Sequence, residues 1–371
     1  MAIERRNLMK AAALGGVGAA AAAASSFPKP ALAQERRELT MVTTWPKNFP
    51  GLGTGAQRTA DRITAMTGGE LTVNLYAAGE LVGAFDSFDA VSSGNADCWH
   101  GAAYYWQGKS QALNFFSAVP FGFTATEYAA WVNYGGGQEL WDEVNAQFGV
   151  KSMACGNTGV QMGGWFRQEV NTPEDFNGLT MRMPGLGGEV MRRLGAAVVS
   201  LPGGEIFPSL QSGAIDATEW VGPWNDLAFG FYRVANYYYY PGFHEPGTAL
   251  EFGLNLDLWN SLSDTHKEIV KAACHAETDI MLSEFNARNG ESLNSLINEH
   301  GVELRQFSDE IYAAFGQYSE EVLAEAGASD EITGRVYESF VDFRSKVSEW
   351  TSLADLAYVN KRNEALAGMG G

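Results

Sequence analysis

Along residues 38–257, segments with the alternating apolar pattern of β-strands are followed in turn by segments with helical periodicity of apolar residues. This alternation limits the folds that the chain can adopt. Glu38–Thr44 and Glu70–Tyr76 carry alternating apolar side chains, as half-buried strands do. The segment between them, residues 56–66, has helical periodicity and stops at Gly68-Gly69. Such alternation favours parallel α/β sheets. Further strands are predicted at residues 96–101, 149–155, 161–166, 179–183, 197–201 and 248–257.

The pattern changes at Ser263, where long amphipathic helices are predicted to begin and to continue to Glu364. Two α/β lobes between which the chain crosses more than once are the most economical arrangement, with ligands bound in the crevice between them. We expect lobe I to comprise residues 34–150 and 217–250, and lobe II to comprise residues 151–216 and 251–320. Residues 321–371 are expected to form the C-terminal helices.

The first 33 residues have the features of an export signal. Arg5-Arg6 form a twin-arginine pattern, residues 11–24 are small and apolar, and Ala31-Leu32-Ala33 matches a cleavage site. The apolar run is too short and too rich in Ala and Gly to span a bilayer stably. We therefore expect export by the twin-arginine route, to the periplasm if the source is bacterial.

The chain is strongly acidic, with a formal net charge of −19 at pH 7. Such a charge repels nucleic acid and anionic membranes, so neither is an expected partner. An anionic ligand would need a local positive site. Cys98, Cys155 and Cys274 are too few and too widely spaced for a disulfide framework or a zinc motif, which predicts buried free thiols. The histidines also lack the spacing of zinc ligands.

Arg182 stands inside the apolar strand segment LTMRM, immediately before Pro184. A buried guanidinium needs an anionic partner, because an unpaired desolvated charge costs several kcal/mol. Its planar fork suits a carboxylate. That carboxylate could belong to a bound ligand or to an Asp or Glu of the protein, and the sequence leaves both possibilities open.

The stretch 210–224, LQSGAIDATEWVGPW, reads as a helix end, a glycine stop, a short strand and a loop. Glu219 and Trp220 would then lie at a strand end, where binding residues often collect, although a surface loop anchored by one buried Trp is an equally open reading. Together with Gln161 and a main-chain carbonyl, Glu219 would form a hard oxygen site for Na⁺ or Ca²⁺. Asn157, Tyr105 and Glu245 are further polar candidates near strand ends or a crossover.

Enzymatic function finds little support in the sequence. Hydrolase, metalloprotease and phosphate-loop motifs do not occur in the context they require. Glu219 with Glu245 as the carboxylate pair of a periplasmic hydrolase or lyase is a distant alternative. We therefore expect a binding protein and not an enzyme.

At Arg182 in LTMRMP, and at LQSGAIDATEW, KNFPGLG and the long C-terminal helices, the chain resembles the extracytoplasmic solute receptors of TRAP transporters. It is most similar to the branch that binds 2-oxo acids such as pyruvate. The resemblance implies a periplasmic-binding-protein fold that captures a 2-oxo monocarboxylate and presents it to separate membrane subunits. A receptor for lactate or a C4-dicarboxylate is the nearest alternative, with Arg167 as the nearby candidate for a second basic contact.

The resemblance also implies the roles of individual residues. Arg182 would pair with the ligand carboxylate, while Gln161, Glu219 and the main chain of Trp220 would hold Na⁺, or alternatively Ca²⁺. Asn157, Tyr105 and Glu245 would complete the pocket. The C-terminal helices would either brace the two lobes or be exchanged in a homodimer.

Overall fold

Two mixed β-sheets flanked by helices form the two lobes of the protein in the computed structural model, which describes residues 36–367. The strands are β1 Arg37–Thr43, β2 Leu71–Tyr76, β3 Cys98–Gly101, β4 Val150–Asn157, β5 Gly164–Phe166, β6 Thr180–Arg182, β7 Ala197–Val199, β8 Ala217–Thr218, β9 Tyr237–Tyr240, β10 Ala249–Asn255 and β11 Glu303–Gln306. The predicted leader, residues 1–33, lies outside the described residues.

The α-helices cover the sheets and form the C-terminal region. In chain order they are α1 Leu52–Met66, α2 Ser87–Ser92, α3 Ala125–Tyr134, α4 Gly137–Ala146, α5 Gly185–Arg193, α6 Gly203–Ser212, α7 Pro223–Phe229, α8 Leu256–Ser261, α9 Asp264–Asn298, α10 Asp309–Gly327, α11 Glu331–Thr351 and α12 Ala357–Leu366. Shorter helical turns occur at Ala84–Asp86, Ala103–Trp106, Gln111–Asn114, Pro173–Phe176, Phe231–Arg233 and Ser352–Leu356. Within residues 36–367, no helix combines the length and the apolarity that crossing a bilayer requires.

The sheet of lobe I has the strand order β2-β1-β3-β10-β4, and the sheet of lobe II has the order β11-β9-β5-β8-β6-β7. Strands β1 and β3 are parallel, whereas β10 runs antiparallel to both β3 and β4. In lobe II, β6 is parallel to β7 and β8, and β5 is antiparallel to its neighbours. The α/β class with two lobes and long C-terminal helices is confirmed, but the sheets are mixed rather than purely parallel.

The chain passes between the sheets three times. Residues 158–163 and 241–248, which we call the crossover segments, make two passages, and the part of the chain that contains α9 makes the third. Helix α9 is 35 residues long and is capped by Ser263, whose side chain accepts a hydrogen bond from the main chain of His266. It packs against β4 and α1 of lobe I and against α7 of lobe II, so it bridges both lobes.

The strands divide the chain differently from the expected boundaries. Residues 217–240 contribute β8 and β9 to lobe II, although we expect residues 217–250 in lobe I. Strands β4 and β10 lie in lobe I, although residues 151–216 and 251–320 are expected in lobe II. The glycine stop before β8 resembles a boundary in sequence, yet both residues of β8 are buried and β5 and β6 flank it on either side.

Glu251 places a carboxyl group inside the sheet of lobe I. It lies on β10 opposite Gly101 and Ala154 and accepts a hydrogen bond from the Trp99 indole nitrogen at 3.2 Å. Burial raises the pKa of Glu251 to about 7, although hydrogen bonds from Ser152 and Trp99 act in the opposite direction. The folded protein therefore keeps this proton at a pH where the unfolded chain, with an ordinary Glu pKa of about 4.3, has lost it.

We predict that the free energy of unfolding falls as the pH rises from about 5 to about 8, and that Glu251→Gln reduces this fall by roughly 2 kcal/mol. Stability from the raised pKa is present below the unfolded pKa and is lost as the pH passes through the folded pKa. Urea unfolding at both pH values measures the change. The exposed Glu291→Gln is the control, and an unchanged pH dependence in Glu251→Gln would contradict the assignment.

Candidate ligand-binding site

Buried polar side chains gather where strands β6 and β8 of lobe II meet the crossover segments. Arg182 is the last residue of β6, and Glu219 directly follows β8. These strands are parallel, with Arg182 opposite Thr218, so both side chains emerge at the carboxyl edge of the sheet. The crossover segments bring Gln161 and the pair His244-Glu245 to the same place, and all of these side chains are buried.

Arg182 pairs with Glu219 inside the protein. Its Nη1 donates to Glu219 Oε1 and, at 3.2 Å, to the main-chain oxygen of Glu219. Its Nε donates to the carbonyl oxygen of Leu201 at 3.1 Å, and the guanidinium lies 5.2 Å from the Trp220 ring centre. Burial opposes the charge, but the neighbouring Glu219 carboxylate keeps the pKa of Arg182 above its ordinary value. The internal ion pair that the sequence left open is thus present.

Glu245 is held by a second set of hydrogen bonds. Its Oε2 accepts from Gln161 Nε2 at 2.7 Å and from Thr248 Oγ1 at 2.5 Å, and Gln161 Nε2 also lies 3.0 Å from Thr158 Oγ1. Burial and the charge of Glu219 raise the pKa of Glu245 to about 7, while His244 and Thr248 act against this rise. This network fixes the two crossover segments to each other.

Several polar atoms of the cluster have no hydrogen-bond partner among residues 36–367, although they are buried. A buried polar group without a partner costs about 1–3 kcal/mol, so native structures contain few of them. Their concentration in one place indicates a site that a polar ligand or an ion completes. They are Arg182 Nη2, Glu219 Oε2, Gln161 Oε1, Trp220 Nε1 and both ring nitrogens of His244.

A cavity of about 10 Å³ adjoins the cluster. A cavity of this size holds about one water molecule, so the side chains of the protein nearly fill the site in this structure. Its walls come from both lobes and are largely apolar and aromatic. They are formed by Trp45, Leu52, Tyr104, Tyr105, Thr158, Gln161, Trp220, Val221, Thr248 and Leu250.

Most of the predicted site residues converge at this place. Arg182, Glu219 and Glu245 lie in the polar cluster, and Gln161, Trp220 and Tyr105 line the cavity. The sequence did not single out His244, Thr248 or the apolar walls formed by Trp45, Leu52 and Leu250. The adjacent pair His244-Glu245 at a crossover was the one signal available for His244.

Asn157 and Arg167 take other positions. Asn157 Nδ2 donates to the Gly247 carbonyl oxygen at 3.1 Å, and its Oδ1 accepts from the Gly159 amide at 2.8 Å. Its amide therefore ties the two crossover segments together, and its contact with a ligand remains a prediction. Arg167 is exposed and lies outside the cavity walls.

Two α/β lobes joined by crossover segments, with one buried guanidinium among residues 36–367 at their junction, are typical of a two-lobed solute-binding protein. The family model described as DctP, bacterial extracellular solute-binding protein, family 7, matches residues 41–330. The chain belongs to this family. The family assignment confirms the resemblance to TRAP solute receptors, and it confirms a binding protein and not an enzyme.

Similar proteins come from several bacteria. A monocarboxylate 2-oxoacid-binding periplasmic protein from Nostoc sp. is 42% identical over 320 residues, which cover 86% of this chain and 87% of that protein. A TRAP periplasmic solute-binding protein from Pseudoalteromonas atlantica, solved with sodium and pyruvate, is 40% identical with a TM-score of 0.85 and covers 88% of this chain and 99% of its own. A TRAP transporter solute-binding protein from Bordetella bronchiseptica is 33% identical with a TM-score of 0.88. The match covers 90% of this chain and 99% of that chain, a mixed-occupancy dimer with copurified calcium and picolinate in one active site.

We predict that Arg182→Met lowers the free energy of unfolding by about 3–5 kcal/mol without ligand, because Glu219 is left buried without its counter-charge. Adding Glu219→Gln removes that uncompensated charge, so the double variant should be less destabilised than the sum of the two single changes, by about 1–3 kcal/mol. Urea unfolding of the four proteins completes the cycle. The exposed Arg167→Met is the control, and strictly additive changes would show that the two side chains do not depend on each other.

Proposed function

We propose that the protein captures a small 2-oxo monocarboxylate of the pyruvate type together with a cation and delivers it to the membrane subunits of a TRAP transporter. The observation that carries the proposal is the buried guanidinium of Arg182, whose Nη2 has no hydrogen-bond partner among residues 36–367. The ligands named for the Nostoc and Pseudoalteromonas relatives support the same ligand class.

Arg182 is the residue that pairs with the ligand carboxylate. Its Nη2 is a buried donor without a partner in the described chain, and an anionic oxygen would satisfy it. Arg182 is also the only Arg or Lys that is buried among residues 36–367, so the site offers one strong anchor for a carboxylate. A dicarboxylate would need a second anchor, and the exposed Arg167 does not supply it. This favours a monocarboxylate.

The residues of the site fit a hard cation such as Na⁺, or alternatively Ca²⁺. Gln161 Oε1 and Glu219 Oε2 are buried oxygens without hydrogen-bond partners within residues 36–367, and both cations prefer oxygen ligands. Gln161, Glu219 and the main chain of Trp220 would hold the cation. When bound, it supplies positive charge that offsets the repulsion between Glu219 and an anionic ligand. Tyr105, Glu245 and Asn157 complete the pocket, Asn157 by holding the crossover segments in place.

Residues 1–33 act as a twin-arginine signal that exports the chain to the periplasm, where a solute receptor meets its ligand. The two arginines, the apolar run and the cleavage pattern of the sequence support this step.

The C-terminal tail forms a homodimer by exchange of helices. The side chains of Trp350, Leu353, Leu356 and Tyr358 are 54–78% exposed, and clustered exposed apolar groups mark interaction surfaces. The Bordetella relative is described as a dimer, which supports the same assembly.

Arg182→Ala is expected to weaken pyruvate binding by about 100-fold or more, because the ligand loses its charged partner in a buried site. Glu219→Gln is expected to weaken binding through loss of the cation. Isothermal titration calorimetry with pyruvate, in Na⁺, in Ca²⁺ and with a chelator, measures both effects. Arg167→Ala is the matched control, succinate tests the dicarboxylate alternative, and parent-like affinity in Arg182→Ala would refute its role.

Leu353→Asp with Leu356→Asp is expected to convert the dimer to a monomer, because charges on the apolar tail oppose its burial against a second chain. Sedimentation velocity at equal protein concentrations measures the change. Tyr134→Ser, which alters an exposed aromatic residue on α3, should leave the dimer intact. A monomeric parent protein would instead indicate that the tail braces its own lobes.

A further inference from the structure

His244 lies beside two carboxylates, although no motif in the sequence connects the three side chains. Glu219, His244 and Glu245 each offer one ligand atom, and these atoms lie within 4.8 Å of one another. His244 Nε2 is 3.4 Å from Glu219 Oε2, without the geometry of a hydrogen bond. The His244 side chain is 2% exposed, and neither ring nitrogen has a hydrogen-bond partner in the described part of the chain. A buried imidazole with both nitrogens free needs a partner that the described chain itself does not provide.

The neighbouring residues hold the two carboxylates in place. Arg182 engages Glu219 Oε1 and leaves Glu219 Oε2 free, while Gln161 and Thr248 engage Glu245 Oε2. Such outer hydrogen bonds orient metal ligands and are part of the design of metal sites. The position of His244 is also fixed, because a Cβ atom at Gly187 would lie 2.7 Å from the His244 Cβ, so only glycine lets α5 approach this closely.

We propose that Glu219, His244 and Glu245 form a binding site for a divalent transition-metal ion of the Zn²⁺ or Co²⁺ type. Sodium and calcium take oxygen ligands, whereas an imidazole nitrogen with carboxylates suits zinc and cobalt. Two carboxylates and one guanidinium leave a negative balance that a divalent ion offsets. Three protein ligands also leave a coordination position open for a small molecule.

The inference concerns binding of the metal alone, so it does not depend on the identity of the organic ligand. Only the consequence of metal binding for transport rests on the proposed function. Since Glu219 would serve both ions, Zn²⁺ and the proposed Na⁺ or Ca²⁺ exclude each other. A transition metal would then change the cation dependence of 2-oxo acid binding.

Calorimetric titration of the untagged, metal-free protein with Zn²⁺ alone tests the site. The parent protein is expected to bind one Zn²⁺, and His244→Gln should weaken binding at least about tenfold, since loss of even an outer-shell partner costs roughly 10–100-fold. His266→Gln is the matched control, because His266 forms the other His–Glu contact, 2.9 Å from Glu70 Oε2 near the surface. The visible absorption of bound Co²⁺ reports the coordination geometry in the parent protein, and its change in His244→Gln assigns the imidazole as a ligand.

Two results would overturn the site: no Zn²⁺ binding by the parent protein, or equal binding by His244→Gln and the parent. Thermal unfolding checks that His244→Gln is folded, and Glu219→Gln provides a second variant that should also lose Zn²⁺. Pyruvate titrations in Na⁺ or Ca²⁺ are carried out separately. A protein that binds Zn²⁺ but no 2-oxo acid would refute the proposed function and retain the metal site.

Discussion

The buried ion pair between Arg182 and Glu219 is the constraint on which the site depends. A guanidinium at the end of an apolar strand cannot remain desolvated without a counter-charge, and Glu219 supplies it from the neighbouring strand end. Parallel pairing of β6 and β8 brings the two residues together, although they lie 37 positions apart in the chain. The ion pair balances the two charges, but Arg182 Nη2 and Glu219 Oε2 still have no hydrogen-bond partner in the described part of the chain. These two atoms are the groups of the pair that a ligand or an ion can contact.

The crossover segments and the lobe contacts close the site around this pair. Gln161 and Glu245 meet through one hydrogen bond, so residues of the site also join the two crossover segments. A second contact lies across the cleft, where Phe49 of lobe I stacks on Phe229 of lobe II with ring centres 4.2 Å apart. On the proposed function, a ligand that binds this cluster also stabilises the arrangement of the crossover segments seen in the structure.

The sequence predicted those parts of the protein that follow from local pattern. Strands with alternating apolar residues, such as β2 and β10, were found within a few residues of their ends, and the charge of Arg182 within an apolar strand marked the centre of the site. Strand β9, which is the run YYYY, lacks an alternating pattern and was missed. The predicted lobe boundaries differ from those in the structure because β8 is only two residues long. Its position in lobe II results from pairing with β5 and β6 on either side. His244 was missed because its neighbour Glu219 comes from a distant strand, and only the tertiary structure brings the two together.

The charges of the site explain why a receptor for an anion should need a cation at all. Arg182 is already neutralised by Glu219, so an arriving carboxylate meets a pair with almost no net charge, inside a protein whose net charge is −19. The raised pKa of Glu245, about 7, shows that the pocket accepts further negative charge only at a cost. On the proposed function, a cation at Glu219 releases part of the Arg182 charge for the ligand. Cation and ligand then favour each other's binding by the same free energy, as linkage requires. The affinity for the anion therefore follows the identity and concentration of the cation, and the Arg182–Glu219 pair is the element through which the two are coupled.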